Sequence, residues 1–402
     1  MRYILNFFLP VSLLLFSIFA GFVIHNATGF ASDNHFTKLA VSFSKNDLFL
    51  SPYNLPGGDY ADYYGRQYLF FGPLPSIVLV PFIVFFGENF PQIFLSFISI
   101  AVTYIIVFRL TQKLKFSYAD SMWLANFFVF GTVLYFVSLL NISAYVVQAF
   151  AMSFAVLCIY EYFASRRWFL TGVYLSLAFI TRATYLGLTL FFLLEIIRTR
   201  KQEGLAKPLI YFLIPLFVSV LSLSYYNNLR FHSFFDTGYT RNVTVVNSPT
   251  SNFVKGAFGI WHVPGNLYAL LVASPEAIKN TTVDFVLKFP YLKVNGIGLA
   301  IWFTSPLFVY LIKAKRRPYT SSAILGTIAL LVPSLLYFGI GTTQYGYRYS
   351  LDFIPLLFII LLSAFRERLP LFGKVLIFGG ILFNCFYMLS IWNSYPLFFW
   401  LK

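Results

Sequence analysis

Apolar runs of membrane-spanning length recur along the 402-residue chain, separated by short turns that carry most of its lysines and arginines. About 20 apolar residues in a helix cover the hydrocarbon core of a bilayer. The composition agrees, with 59% hydrophobic and only 11% charged residues, whereas soluble domains carry about 25% charged residues. The pattern predicts an all-α polytopic membrane protein, with residues 1–402 forming one transmembrane domain of about eleven spans.

The basic clusters predict how the chain is oriented, because cytoplasmic loops carry an excess of Lys and Arg. Arg2 puts the N-terminus in the cytoplasm, ahead of a first span over about 4–24. The clusters at 109–115, 198–207, 313–317 and 366–368 then fall on the same side, and the C-terminus lies outside. This bias accounts for the net charge of +15, so we expect no nucleic-acid partner.

Three segments need individual treatment. The stretch 74–86 is short and contains Pro75 and Pro81, so we expect it to lie in the membrane interface, as we do for an amphipathic helix over 36–50. The stretches 118–140 and 298–312 are predicted as single spans. The stretch 168–197 is too long for one span and must turn back near 181–184. Arg182 therefore lies at membrane depth, where a charge should face a polar cavity.

The outer side of this topology collects the polar residues that could carry chemistry. It has two large segments, over 25–90 and 226–296, and the chain has only 14 acidic residues in total. The candidate site residues are Asp33, His35, Asp59, Asp62, Tyr64, Arg66, Arg182, Arg230, Tyr239, Tyr347, Arg348 and Asp352. Any chemistry is therefore expected to face outward.

The acids in the first segment each have two interpretations. Asp33 follows the first span, where a carboxylate could act as general base on an acceptor group. It could equally cap the next helix, since Ser-Asp-Asn is a good capping sequence. Asp59 and Asp62 lie in a Gly- and Tyr-rich stretch and could bind sugar hydroxyls or a divalent cation. A turn with ordinary acids is the alternative.

The arginines point to an anionic ligand. Arginine binds phosphate oxygens bidentately and keeps its charge. Arg182 is the strongest pointer, because an isolated charge within the membrane is costly; Arg348, among tyrosines, is the second. The alternative is a structural ion pair, for example between Arg348 and Asp352 at helical spacing. No P-loop, GxSxG, HExxH or paired CxxC motif is present, which disfavours ATP-driven transport and zinc or serine hydrolysis.

Several stretches, taken in order, resemble the GT-C membrane glycosyltransferases, which use polyprenyl-phosphate sugars and include protein O-mannosyltransferases and lipid A aminoarabinose transferases. The matching stretches are Ser32-Asp33, Asp62-Tyr63-Tyr64-Gly65-Arg66, Phe71-Gly72-Pro73, Thr181-Arg182, Tyr226-Asn227-Asn228-Leu229-Arg230-Phe231, Gly238-Tyr239, and Gly346-Tyr347-Arg348-Tyr349 with Asp352. The resemblance implies that Asp33 is the catalytic carboxylate and that the first outer loop holds interfacial helices.

These observations lead to one main hypothesis, an inverting glycosyltransferase at the outer face of the cell membrane. Asp33 would activate an acceptor on a protein, lipid or glycan. Arg182, Arg348, Arg66 and Arg230 would neutralise the departing polyprenyl phosphate. The other candidates would bind substrate; no cofactor is certain, and a divalent cation is the one candidate. The alternatives are a transporter or flippase of lipid-linked saccharide, and a polymerase or ligase of surface polysaccharide.

Overall fold

The computed structural model describes residues 33–50, 59–241, 256–279, 286–341 and 344–394, together with positions 12, 15, 16, 19 and 21. Most of these residues are helical. The α-helices are α1 (His35–Ser44), α2 (Leu74–Phe86), α3 (Ile93–Lys113), α4 (Tyr118–Phe130), α5 (Leu134–Leu139), α6 (Ser143–Ala164), α7 (Trp168–Thr181), α8 (Leu188–Glu203), α9 (Ala206–Phe231), α10 (Val263–Leu271), α11 (Ile301–Thr304), α12 (Thr320–Leu336), α13 (Ile354–Leu362) and α14 (Leu371–Ser394). Short 3-10 segments cover Ala183–Gly187, Tyr239–Arg241, Ile260–His262, Pro306–Lys313 and Arg348–Asp352.

Three of the described helices, α3, α6 and α9, are long and apolar enough to cross a membrane. Helices α2, α7 and α12 and the stretch Leu371–Phe386 are apolar but shorter. These helices support the prediction of a membrane protein. The predicted first span over 4–24 falls almost wholly outside the described residues, so the number of about eleven spans stays a prediction.

Several predicted boundaries agree with the structure. Helix α2 occupies the short apolar stretch 74–86, and the amphipathic segment before it is helical but ends at Ser44. The turn in the long stretch 168–197 occurs where it was predicted, because α7 ends at Thr181 and a 3-10 segment leads to α8. Arg182 therefore lies at the end of α7.

Two predicted spans were wrong in detail. The stretch 118–140 is divided into α4 and α5 at Gly131, where an added Cβ would lie 2.9 Å from the Phe127 carbonyl oxygen. The stretch 298–312 forms only the short α11 and then a 3-10 segment that begins at Pro306. Proline has no N–H to donate to a continuing helix, so the helical ladder stops there.

The mostly helical fold agrees with the predicted helical class, and two short antiparallel hairpins add to it, one in each of the segments 25–90 and 226–296. These are β1 (Ala61–Tyr63) with β2 (Arg66–Tyr68), and β3 (Glu276–Lys279) with β4 (Leu287–Lys293). Tyr64 and Gly65 join β1 to β2, both with positive φ, 50° and 72°. A two-residue turn of that kind matches the twist of a hairpin.

Helix α6 is largely buried and packs against α3 and α7, while α9 packs on the other side of α7. Gly172 lets α7 and α9 approach closely, because a Cβ there would lie 2.4 Å from the Phe212 carbonyl oxygen. Gly72 does the same between the first outer segment and the end of α7, since its Cβ would overlap the Ile180 carbonyl group. The first outer segment is thereby held against the helix that ends at Arg182.

Candidate functional site

The Asp33 carboxylate is bound to the start of α6. Its two oxygens accept hydrogen bonds from the Ser143 backbone N–H at 3.0 and 2.9 Å, and Oδ1 also accepts from the Ser143 hydroxyl at 2.6 Å. Gln92 Nε2 donates to the same Oδ1 at 2.9 Å. The first turn of a helix has free N–H groups and a partial positive charge, so this contact suits a carboxylate. Asp33 Oδ2 accepts fewer of these bonds than Oδ1.

Asp33 is thus a helix cap of α6, and its Oδ1 also accepts a hydrogen bond from the His35 N–H at the start of α1, at 3.4 Å. Asn34, at the N-cap position of α1, adopts a left-handed conformation, and its own side chain makes no capping hydrogen bond to α1. Gln92 Oε1 instead accepts from the Phe36 N–H at 2.9 Å, and the Asn34 side chain accepts from Asn141 at 3.0 Å. The start of α1 is therefore tied to the turn before α6. Gln92 and Ser143 were missed in the sequence because neither belongs to a recognisable motif.

A second carboxyl group, Asp59, lies within electrostatic range of Asp33 and Arg348. Burial raises the pKa of Asp59 to about 6; the Asp33 carboxylate raises it further and the Arg348 guanidinium opposes the rise. Its charge changes close to neutral pH, which is a useful property for proton transfer.

Arg348 is buried and has no salt bridge among the described residues. Its Nη1 donates to Gln148 Oε1 at 3.1 Å, and its guanidinium lies over the rings of Tyr145 and Tyr349 at 5.0 and 4.7 Å. Its Nε is buried and has no hydrogen-bond partner in the described part of the chain. The aromatic faces offset part of the cost of burying the charge. A buried guanidinium with an unused N–H can bind an anionic ligand.

The Arg182 guanidinium forms a salt bridge with a carboxylate. Its Nε and Nη2 donate to the two oxygens of Asp352 at 2.7 and 2.9 Å, and the Asp352 side chain is fully buried. The alternative of a structural ion pair is therefore present at Arg182, whereas the pair given as its example, Arg348 with Asp352, does not form because Asp352 pairs with Arg182. Asp352 was expected to bind substrate, but both of its oxygens are occupied. The salt bridge joins the end of α7 to the 3-10 segment that carries Arg348.

Arg182 and Arg230 also line a narrow cavity of about 40 Å³ together with Tyr239. Arg230 is buried, donates to the Leu69 carbonyl oxygen and to Asn227 Oδ1, and lies 4.0 Å from the centre of the Tyr226 ring. Burial raises the pKa of Tyr239 to about 12, against the effect of nearby Arg182. The cavity holds only one or two water molecules, so a sugar phosphate would need more space than this.

His35 and Tyr347, both predicted to bind substrate, are buried. Neither ring nitrogen of His35 has a hydrogen-bond partner in the described residues, and Nδ1 lies 3.7 Å from Asp33 Oδ2. Burial lowers the pKa of His35, although Asp33 opposes this, so the imidazole is neutral at pH 7. The Tyr347 hydroxyl donates to Asn266 Oδ1 at 2.9 Å, which gives it a structural partner.

Asp62, Tyr64 and Arg66 lie on the exposed part of the β1–β2 hairpin. The inward face of this hairpin, Ala61 and Tyr68, packs against Phe231 at the end of α9. The Arg66 guanidinium lies 4.7 Å from the centre of the Phe49 ring. These three side chains are therefore exposed on the surface, whereas Arg348 is buried.

The acidic residues do not form an evident metal centre. Within the ranges that the structure describes, no group of three His, Cys, Asp or Glu side chains could hold a metal ion. Asp62, expected beside Asp59 as a possible cation ligand, is instead exposed on β1.

Comparison with known proteins identifies solved structures of similar fold. No family model matches the sequence, and no curated protein matches it. ArnT from Cupriavidus metallidurans bound to undecaprenyl phosphate is similar in structure, with a TM-score of 0.53 and 13% identity over 90% of this chain and 59% of that chain. The apo state of the same protein gives a TM-score of 0.52 and 10% identity, with the same shares of each chain covered. An apo oligosaccharyltransferase from Archaeoglobus fulgidus gives a TM-score of 0.43 at 13% identity, over 96% of this chain and 55% of that chain.

The fold of this chain is therefore similar to that of ArnT, as the sequence resemblance predicted. The chain spans about three fifths of the length of ArnT, 59% of that chain.

Proposed function

We propose that this protein is a membrane glycosyltransferase that moves a sugar, with inversion, from a polyprenyl-phosphate donor to an acceptor on a protein, lipid or glycan. The reaction takes place at the outer face of the cell membrane, with the N-terminus in the cytoplasm. The similarity of fold to ArnT, whose crystal structure contains undecaprenyl phosphate, supports a donor of this class.

The observation that carries the proposal is the state of Arg348. A buried charge outside a salt bridge is costly, and the described side chains that contact the Arg348 guanidinium, Gln148, Tyr145 and Tyr349, are neutral. The charge of the nearby Asp59 carboxyl group also acts on it. The Arg348 Nε is unused. A phosphate oxygen would satisfy that N–H and neutralise the charge, and the guanidinium would stabilise the phosphate as it leaves.

Two carboxyl groups, Asp33 and Asp59, would handle the acceptor proton. Asp33 is fixed at the start of α6, and its Oδ2, which accepts the Ser143 N–H at 2.9 Å, could also accept a hydrogen bond from an acceptor hydroxyl or amine. Asp59, with a pKa of about 6, would take up the proton or orient the acceptor near neutral pH. Arg182 would act from its salt bridge with Asp352, which holds the Arg348 segment in position.

Binding of undecaprenyl phosphate to the purified full chain in detergent, followed by native mass spectrometry, tests the role of Arg348. Arg348→Gln should weaken binding about 10- to 100-fold, which corresponds to the loss of one hydrogen-bonded charge contact. The control is Arg316→Gln, which changes an exposed arginine in the basic cluster at 313–317. This variant should bind undecaprenyl phosphate normally. Equal binding by wild type and a folded Arg348→Gln variant would contradict the proposal.

Glycolipids and glycans of cells that lack this protein test the reaction itself. Complementation with wild type should restore a missing sugar, and Asp33→Asn should not, although it reaches the membrane. Ser143→Ala removes one hydrogen bond to the same carboxylate and should keep most of the activity. Full restoration by Asp33→Asn would exclude the catalytic role. A missing glycan together with lipid-linked saccharide accumulating on the inner side would favour a transporter.

A further inference from the structure

A second cavity lies at the other end of α7, away from Arg182. It has a volume of about 480 Å³ and is lined by the first turns of α7 and α9 and by the end of α8. The basic clusters predict that this end faces the cytoplasm. The proposed transferase site does not involve it.

The charged residues around this cavity are mainly cationic. Arg166, Arg167 and Lys207 line it, against one lining carboxylate, Glu203. Arg166 Nη1 lies 2.8 Å from Glu203, and Arg167 Nε lies 2.7 Å from Glu161. Lys207 has no salt bridge within the described ranges, and its ammonium nitrogen lies 5.7 Å from the centre of the Tyr211 ring. The cavity therefore keeps a positive charge that its own carboxylate does not cancel.

The backbone adds to this positive potential. Helix α7 begins at Trp168 and α9 at Ala206, both at the cavity. The first N–H groups of a helix have no intrahelical acceptor and carry a partial positive charge. Arg166 has a φ of 50° just after the end of α6, a conformation that favours glycine. Arg166 therefore adopts this conformation at some energetic cost, and its side chain lines the cavity.

The cavity is also lined by apolar side chains. Phe169 and Tyr211 line it, and both side chains are about half exposed, at 49% and 46%. Ile214, Phe217 and Leu221 continue from Tyr211 as an exposed stripe along α9, at the spacing of one helix face. This stripe can hold acyl chains in a bilayer. A soluble anion would make no use of it.

We infer that this cavity binds the phosphodiester headgroup of an anionic phospholipid, with the acyl chains along the apolar stripe of α9. Basic pockets between transmembrane helices on the cytoplasmic side bind anionic headgroups in this way. The inference concerns a different end of the molecule from the proposed donor site and does not depend on the transferase reaction.

Native mass spectrometry of the delipidated full chain, titrated with phosphatidylglycerol or phosphatidylcholine, tests this inference. Wild type should retain phosphatidylglycerol in preference to phosphatidylcholine. Lys207→Gln should weaken phosphatidylglycerol binding about fivefold, the effect of one basic residue near an anionic membrane surface, and Lys207→Arg should restore it. Lys207 is suitable because its removal leaves no carboxylate unpaired.

The control variant is Arg316→Gln, which removes an exposed charge outside the cavity and should bind like wild type. Glycerophosphate in tenfold excess over the lipid should not displace phosphatidylglycerol. The inference is wrong if Lys207→Gln binds as wild type does, if Arg316→Gln loses as much affinity, or if glycerophosphate displaces the lipid. An unchanged melting temperature would show that the Lys207→Gln protein is folded.

Discussion

The guanidinium of Arg182 and the carboxylate of Asp352 form a bidentate salt bridge across 170 positions of the sequence. The contact fixes the end of α7 to the 3-10 segment of Arg348. Both groups are largely removed from water, with exposures of 11% and 0%. A buried pair with two hydrogen bonds tolerates the loss of neither partner.

We expect Asp352→Asn to destabilise the protein by about 3–5 kcal/mol, because it leaves Arg182 as an uncompensated buried charge. Thermal unfolding of the detergent-solubilised protein measures this. The double variant Arg182→Gln with Asp352→Asn should be more stable than the sum of the two single variants predicts. Additive effects would mean that the two residues do not interact.

The Asp59 carboxyl group should make stability depend on pH. Its pKa is about 6 in the folded protein against an ordinary 3.8, so the folded state holds its proton more tightly. The resulting stabilisation is complete below pH 3.8 and is lost as the pH rises through about 6. Relative to Asp59→Asn, which stays neutral, wild type should be equally stable at about pH 4 and less stable above pH 6, by at most about 3 kcal/mol.

Melting temperatures of wild type and Asp59→Asn, measured between about pH 4 and pH 8, check this prediction. The difference in melting temperature between the two proteins should grow only between about pH 4 and pH 6. A difference that stays constant with pH would show that Asp59 keeps an ordinary pKa.

Gly72 should not tolerate a side chain. An alanine Cβ would overlap the Ile180 carbonyl group, so Gly72→Ala must displace the first outer segment from α7. We expect a loss of more than about 2 kcal/mol in stability and loss of undecaprenyl phosphate binding. Gly379→Ala, in α14, is the matched control because no described residue lies within 4 Å of its added Cβ. Similar melting temperatures for both variants would argue against this close packing.

Tyr347→Phe should lower the stability of the protein without affecting substrate binding. The hydroxyl donates to Asn266 at 2.9 Å in a buried site, and removing it should cost about 1 kcal/mol. Kinetics with the labelled donor should give an unchanged KM. An increase in KM at unchanged stability would restore Tyr347 as a substrate contact, as the sequence analysis predicted.

The sequence predicted those features that depend on local chemistry. The turn at Arg182 followed from the length of the apolar stretch and its basic ends, and the limits of α2 followed from Pro75 and the apolar run. The break at Gly131 was missed because a single glycine in an apolar helix is often tolerated. The hairpins were missed because short strands in aromatic loops give little periodic signal.

The candidate site was predicted less well, because pairing partners are decided by the tertiary fold. Arg182 was taken as the stronger ligand candidate and Arg348 as the weaker. The structure favours the opposite ranking, because Asp352 pairs with Arg182 in space although it is nearer to Arg348 in sequence. The role of Asp33 as a cap for α6 depends on Ser143, a contact 110 positions away. No local pattern carries that information.

The turn of the first hairpin also has a practical consequence. Tyr64 is 86% exposed and Gly65 has nothing within 4 Å of its Cβ position, so the turn can accommodate an inserted peptide. An epitope inserted between these two residues would report on which side of an intact cell this loop is displayed. Antibody staining before and after permeabilisation would then establish the sidedness of the whole bundle from one exposed turn.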